Sequence, residues 1–484
     1  SSPSVPLLLE SKDPASEAEE IADAVAVSSR FGQISGGYRK TETEMNARCV
    51  FYNEDDKKYI WYNNGYWLIS DEVGSNKTYF RSDETWVTMS PEDATWKGID
   101  VEMVDLGDED EDEEEEACLF VDSDFPQTNC GQDAVEWIRG SKLQKGGKTK
   151  LYNKIEPDDV CQGALGDCWL LAAIAAIAEF PRYLEQRIFV EDKISDDGSY
   201  HINLYCVKTS SWIVITVDDF IPCNPKHWYE KSARPLFAQP NGNELYILLL
   251  EKAFAKYVGA DYLNLANGFE PYAWIHLTGC EEQQAWCRDA EEEGNWKLIY
   301  VDAAAHKLNP QDMRTVKWIK TTESKSDKEM FDTLQVYDKA NYIMGASIPG
   351  TTGQMEKPRD DGLVEKHAYS ALQVKRVNTS RKEEDGKTVD MEFRMVQCRN
   401  PWGNSHEWKG AWSDTSDLWD QYPEADKMLR GGETAESKDA QDPDGTFWME
   451  WADFKKAYRY VYVCPFDMGI KKATHKSHKT EEDE

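Results

Sequence analysis

A chain of 484 residues is long enough for two or three domains, and 40% hydrophobic residues with 18 tryptophans supply ample core material. Its formal net charge of −35, from 90 acidic against 55 basic side chains, argues against nucleic acid and against anionic membrane surfaces as main partners. No apolar run approaches the roughly 20 residues that cross a bilayer, so no membrane span is expected.

Residues 1–45 read as an unstructured N-terminal segment rich in Ser, Glu and Ala, with at most a short helix over 15–27. From 46 to 104 the text changes to short aromatic and β-branched runs at 49–52, 58–62, 66–70 and 78–81. Asn63-Asn64-Gly65 between two of them is a hairpin turn signal. The expectation is a small antiparallel accessory β module with Trp61, Trp67, Trp86 and Trp96 in its core and a surface for a partner. The unbroken acidic run from Asp108 to Glu116 repels itself and marks a linker over 105–116. Residues 1–116 carry 29 acidic and 10 basic side chains, so their net −19 is more than half of the total charge.

From 117 the chain is dense globular text, and a charged tail follows over 468–484. The helix predicted after Cys168 is apolar nearly all round, the pattern of an interior helix with only its first turn at a cleft. A second helix is predicted over 243–257, and a strand over 211–217 leads into Asp218-Asp219. Later segments alternate as strands at 368–374, 390–398 and 460–464. A helical first half, 117–279, and a β-rich second half, 280–467, imply an α+β fold. The eleven cysteines include no Cys-x-x-Cys pair, which favours reduced thiols in the cytoplasm over a disulfide framework or a structural zinc site.

Cys168 stands where a glycine-bearing loop becomes a helix. A thiol there has its thiolate stabilised by the helix dipole and free N–H groups, which can bring its pKa from ~8.5 to between ~3.5 and 7.5. Such a nucleophile needs a base to take its proton, and the base needs a third group to fix its tautomer. His367, at the start of an alternating strand, is the candidate base. Asn400, in Cys398-Arg-Asn-Pro-Trp402, is the candidate orienter, and Pro401 ends the strand there. Trp402 is placed to shield the Asn–His bond from water. The side-chain amide of Gln162 and the Cys168 N–H are placed to converge on an oxyanion. Taken singly, each has a plainer reading: a buried cysteine, a satisfied histidine, a turn asparagine.

Three stretches, 162–173, 361–372 and 399–414, resemble the Cys, His and Asn boxes of the calpain family of papain-like cysteine proteases. Further text at 119–126, 217–222 and 445–448 is similar to that family as well. The resemblance covers roughly 117–466. It implies a two-lobed papain-like core, with Cys168 on a helical lobe and His367 and Asn400 on a β-sheet lobe. It implies Cys168, His367, Asn400 and Gln162 as the catalytic set, with Trp402 beside them, and limited cleavage of protein substrates. It also implies calcium as a cofactor, held by Asp159 in the first lobe and by Glu407, Asp414, Asp442 and Asp444 in the second. The chain departs from the pattern in three places. Lys366 stands where the family has Gly before the histidine, Ser211 where it has a carboxylate before a strand Trp, and Thr446 where it has a Glu. No EF-hand pattern follows the core, as in atypical members of the family. Two rival expectations are a calpain-fold scaffold without activity and an acyl-transfer enzyme of the transglutaminase kind. The intact Cys, His and Asn argue against the first, and the box spacing against the second.

Overall fold

The computed structural model describes residues 24–29, 36–45, 48–53, 57–63, 66–73, 80–81 and 99–103. Further on it describes 119–128, 130–131, 135–143, 149–225, 234–240, 242–288, 295–302, 317–350, 353–382, 387–403, 406–431 and 444–469. The main divide falls between Glu116 and Ala117, with a compact unit on either side. The acidic run, the charged tail beyond 469, Trp86, Trp96 and Asp442 lie outside the described residues.

The first unit is a seven-stranded antiparallel sheet. Its strands run Phe80–Arg81, Tyr66–Ser70, Lys58–Asn63, Arg48–Asn53, Gly36–Met45, Ala24–Ser29 and Ile99–Met103 in spatial order. Asn63 pairs with Tyr66, so Lys58–Asn63 and Tyr66–Ser70 are antiparallel neighbours on either side of the hairpin signal. Trp61 and Trp67 are buried with Tyr38, Phe51, Ile60 and Ile69, and the Trp61 indole N–H donates to Ser70 Oγ at 2.7 Å. This sheet corrects the expectation of an unstructured 1–45. Ala24–Ser29 and Gly36–Met45 are both strands, and Ala24–Val27 belongs to no helix. The cause is non-local: Ala24–Ser29 is held on one side by Gly36–Met45 and on the other by Ile99–Met103.

The second unit combines an interior helix cluster with an antiparallel eight-stranded sheet. The helix Cys168–Ala178 is buried along all 11 residues, so no polar stripe faces solvent. Around it lie the helices Tyr246–Tyr257 and Glu270–Thr278 and the hairpin Ser199–Cys206 with Ser211–Asp218. The sheet runs Trp318–Ser326, Asn295–Val301, Gln284–Arg288, Tyr460–Cys464, Ile343–Ile348, His367–Lys382, Thr388–Arg399 and Thr446–Glu450. The last strand in sequence, Tyr460–Cys464, thus sits mid-sheet and locks the C-terminal end of the unit into its core. The predicted strands at 211–217, 368–374, 390–398 and 460–464 lie in these elements, and the helix predicted over 243–257 begins at Tyr246.

A buried ionic network ties the segment near Asp122 to the helix Tyr246–Tyr257. Lys252 pairs with Asp218, Lys256 with Asp122 at 2.7 Å, and Arg139 with Asp219 at 2.8 Å. The Asp122 N–H donates to Asp218 Oδ2 at 2.7 Å, and the Lys252 ammonium also donates to the Phe220 carbonyl at 2.6 Å. These partners explain why acidic text at 119–126 and 217–222 sits in a core: each buried charge meets an opposite one. Replacing Asp218 by Ala strands the Lys252 ammonium in an apolar site. The expected loss is about 3–5 kcal/mol of unfolding free energy, read by urea denaturation; a loss below about 1 kcal/mol would show that the network does not hold the unit together.

Candidate active site

Cys168 opens its helix, with Asp167 as the N-cap. The run Leu-Leu-Ala-Ala-Ile-Ala-Ala-Ile-Ala that follows combines high helix propensity with full burial. The approach to it is sterically fixed. A Cβ on Gly163 would stand 1.8 Å from the Phe237 carbonyl oxygen, and one on Gly268 would stand 2.4 Å from the Trp169 ring. The Trp169 indole N–H donates to the Leu265 carbonyl at 2.9 Å, so the first helical turn is bolted to the loop across from it. Beneath that turn Asp167 is buried beside Glu251. Burial pushes the Asp167 carboxyl up to about 7 and the Glu251 carboxyl well up.

His367 is the first residue of the strand His367–Lys382 and is buried. Its Nε2 lies 2.7 Å from Asn400 Oδ1. Asn400 has no freedom to turn: its Nδ2 donates to the His406 carbonyl at 2.8 Å, and its Oδ1 also accepts from the Trp402 N–H at 3.0 Å. Because Nδ2 is committed to a carbonyl, Oδ1 must face the histidine, and Nε2 must carry the hydrogen. The Trp402 ring lies 5.1 Å from the His367 ring and 4.8 Å from that of His406, covering this bond. His406, which no motif singles out, works through its backbone. The two halves of the site are also stitched directly. The Ser370 hydroxyl donates to the Ala172 carbonyl at 2.7 Å, and the Gln162 N–H donates to the Pro401 carbonyl at 2.8 Å.

Ligand-type atoms of Cys168, His367 and a third residue, Glu356, all lie within 4.8 Å of one another. Glu356 Oε1 is 3.0 Å from His367 Nδ1 and accepts from Gln162 Nε2 at 3.0 Å. The Gln162 amide, expected at an oxyanion, is therefore engaged by a carboxylate oxygen. Burial works against the Glu356 carboxylate, but hydrogen bonds and charge from His367 with Gln162 outweigh it and hold the group below its usual range. The expectation of an acidified Cys168 is not met in this arrangement. Burial, and then the Glu356 charge, push the thiol well up, and a hydrogen bond from the Ala368 backbone offsets only part of this. Sequence reasoning missed Glu356, because a lone Met-Glu in a loop carries no motif.

A cleft of about 410 Å³ opens beside these groups, lined by Cys168, Gly268, Trp318, Met355, His367 and Tyr462 among others. Lys366 lines it too, with its ammonium donating to the Gly353 carbonyl at 3.1 Å. The Lys366 backbone is left-handed at φ 51°, a conformation glycine adopts freely and lysine does not. Glu270, the first residue of its helix, also lines the cleft, with Oε1 buried and unpartnered.

The calcium expectations fall into two places. Asp159 is buried, and its Oδ2 already accepts from the Tyr246 hydroxyl at 2.9 Å and the Glu156 N–H at 2.7 Å. Burial, then Glu244, pushes its carboxyl up to about 7. Ser211 offers only a hydroxyl, 2.8 Å from that of Thr209. In the second place Glu407, Asp414 and Asp444 crowd one another. Burial, then Asp414, pushes Glu407 up to about 8. Glu407 Oε1 accepts from the Gly445 N–H at 2.6 Å, and the Gly445 carbonyl accepts from the Asn400 N–H at 2.8 Å. The acidic cluster and the histidine's orienting residue are thus one hydrogen bond apart on either side of Gly445. An all-oxygen donor set of this kind suits calcium.

A sequence profile described as calpain family cysteine protease matches residues 110–465. The chain is 31% identical to the calpain-type cysteine protease DEK1 of Arabidopsis thaliana over 352 residues, which are 72% of this chain and 13% of that protein. It is 28% identical to a calpain of Schistosoma mansoni over 366 residues, 72% of this chain and 39% of that protein. It is 26% identical to calpain-14 of Homo sapiens over 363 residues, 73% of this chain and 44% of that protein. The chain therefore spans less than half the length of each of these relatives.

Burial alone raises the Glu270 carboxyl from 4.5 to about 8. The folded state then keeps a proton that the unfolded state loses, so this group's stabilisation is complete below about pH 4.5 and is lost as pH rises towards about 8. Thermal unfolding of wild type should weaken from about pH 5 to about pH 8 more than that of Glu270→Gln. Parallel pH profiles for the two proteins would show that Glu270 is ionised in the fold.

Proposed function

We propose, because the chain belongs to the calpain family of cysteine proteases, that it is a two-lobed papain-like endopeptidase making limited cuts in protein substrates with Cys168, His367 and Asn400. The observation that carries this reading is His367, which holds Asn400 with Nε2 and turns its other nitrogen to the Glu356 carboxylate beside Cys168. In the reaction the Cys168 sulfur attacks the peptide carbonyl carbon, and its proton passes to His367 Nδ1. The oxygen of the tetrahedral intermediate takes hydrogen bonds from the Cys168 N–H and Gln162 Nε2. Imidazolium His367 gives the proton to the leaving amine, and the C–N bond breaks to leave a thioester. Water, deprotonated by His367, attacks the thioester, the acid product departs, and the proton returns to sulfur. Asn400 keeps the imidazole in one tautomer throughout, and Trp402 keeps water from competing for that bond.

Glu356 stands in the way of the first step. The substrate carbonyl has to take over the Gln162 hydrogen bond that Glu356 Oε1 now accepts. Departure of that carboxylate also removes the negative charge that opposes thiolate formation. The upward push on the Cys168 thiol is what favours the rival reading, a calpain-fold scaffold. Reaction with an electrophile separates the two.

Calcium is proposed as a cofactor at Glu407, Asp414 and Asp444, with Asp442 nearby in sequence. The support is the oxygen-only donor set and the link through Gly445 to Asn400. The charge of the ion would relieve the repulsion among these carboxylates and firm up the loop that carries Asn400. Asp159 is the weaker candidate, since Tyr246 and Glu156 already occupy its Oδ2. A cytoplasmic location is proposed too: the nine described cysteines assigned as free thiols suit a reducing compartment, and cell fractionation tests it.

Two measurements bear on the activity. An electrophilic peptide probe, with calcium present, is expected to label the protein at Cys168, and Cys168→Ala should abolish both labelling and peptide turnover. Asn400→Ala should lower kcat/KM by about a hundredfold or more, through the wrong imidazole tautomer. Turnover that survives Cys168→Ala sinks the mechanism, and absence of labelling with or without calcium establishes the scaffold instead. For the cofactor, Glu407→Ala is expected to weaken calcium binding by about tenfold or more in calorimetry, and an unchanged affinity would move the site elsewhere.

A further inference from the structure

Cys168, His367 and Glu356 come from three separate segments, yet their ligand atoms gather within 4.8 Å, the one such group among the described residues. They are a sulfur, an imidazole nitrogen and a carboxylate oxygen. Their lone pairs face one another. Nε2 faces Asn400 Oδ1, so the His367 ring turns its other nitrogen, Nδ1, toward Glu356 Oε1 at 3.0 Å. We propose that this cluster is a binding site for a thiophilic divalent cation of the zinc type, and that occupying it silences the nucleophile.

The chemistry of the donors selects the ion. A thiolate with imidazole and carboxylate suits zinc, whereas calcium and magnesium require oxygen ligands throughout. The spacing is close to what is needed. With Zn–S at ~2.3 Å and Zn–N at ~2.0–2.1 Å, neighbouring ligands in a tetrahedron stand roughly 3.2–3.6 Å apart. The His367 and Glu356 atoms are 3.0 Å apart, so separation by a few tenths of an ångström and a small inward movement of Cys168 complete the set.

Supporting groups are already in place. Metal-bound histidines ordinarily give their second N–H to an oxygen acceptor, and His367 does so to Asn400 at 2.7 Å. Gln162 holds the Glu356 carboxylate at 3.0 Å. The fourth position faces the 410 Å³ cleft, where a water can complete the tetrahedron. Binding forms one metal–sulfur, one metal–nitrogen and one metal–oxygen bond and releases to solvent the thiol proton with any proton on His367 Nδ1. The sulfur pair that would attack a carbonyl is then held in the Zn–S bond.

This inference rests on the same reaction centre as the proposed proteolysis but not on turnover. The test uses the full chain, stripped of metal and titrated with Co²⁺, whose thiolate charge-transfer band reports a Co–S bond. The Cys168→Ala protein is subtracted, so that other cysteines cancel. The expected result is one equivalent of Co²⁺ with that band, displaced by Zn²⁺, and weakened by about tenfold or more in Glu356→Gln. Circular dichroism confirms that each variant folds. No band in the difference spectrum, or equal affinity in Glu356→Gln, overturns the proposal. Electrophile labelling of the metal-free protein is scored in parallel. Labelling without Co²⁺ binding defeats the metal site alone, and Co²⁺ binding without labelling or turnover defeats the protease reading while leaving the metal site standing.

Discussion

Everything in the reaction centre depends on the contact between the buried helix Cys168–Ala178 and the strand His367–Lys382. The helix is lined with alanines, and small side chains let the strand's backbone come close enough for Ser370 to donate to the Ala172 carbonyl. On another side the Trp274 indole N–H reaches the Ala173 carbonyl at 3.2 Å. Both are side-chain donors spent on carbonyls inside a helix, where few partners reach, and both fix the helix along its length as well as sideways. Cys168 and His367 are the first residues of their two elements, so this one packing contact sets where sulfur and imidazole stand. Larger residues at Ala172 or Ala173 would push the strand outwards and separate the two groups.

The same burial that positions the sulfur also makes its ionisation costly. A thiolate at a solvated helix N-terminus is helped by the dipole. At Cys168 desolvation and the facing Glu356 carboxylate outweigh that help. The dipole term was legible in the sequence because it is local: a glycine-bearing loop, one cysteine, a helix-forming run. The opposing term was not, because Glu356 arrives from a loop far along the chain with no pattern to mark it. The difference between the sequence reading and the structure at this residue is the difference between a local field and a folded one.

The same distinction runs through the rest of the chain. The helix after Cys168, the strand opened by His367 and the turn at Asn400 follow from periodicity, helix propensity and a proline, all read within a few residues. His406 left no mark because it serves Asn400 through its carbonyl, which every residue possesses. Ala24–Ser29 escaped notice because its stability comes from pairing with Ile99–Met103, and short alternation of small residues says little without its partners. The ionic network around Asp218 and Lys252 has no local signature, because its members come from separate segments.

A common feature joins the acids of the core. Asp167, Glu251, Glu270, Asp159 and Glu407 are all pushed up by burial, and in each case desolvation is the largest cause. Around Cys168, Glu356, Glu270 and Asp167 make negative charge expensive, and thiolate is negative charge. The reaction centre is therefore built to attract a cation before it can build an anion. On the proposed reading, substrate reverses the balance by displacing the Glu356 carboxylate and offering a carbonyl to Gln162 instead. Asn400 lies where that reversal is felt from outside: its side chain steers His367, and its N–H holds Gly445, whose own N–H holds Glu407. Two backbone hydrogen bonds and one side chain therefore separate the Glu407 carboxylate from the imidazole.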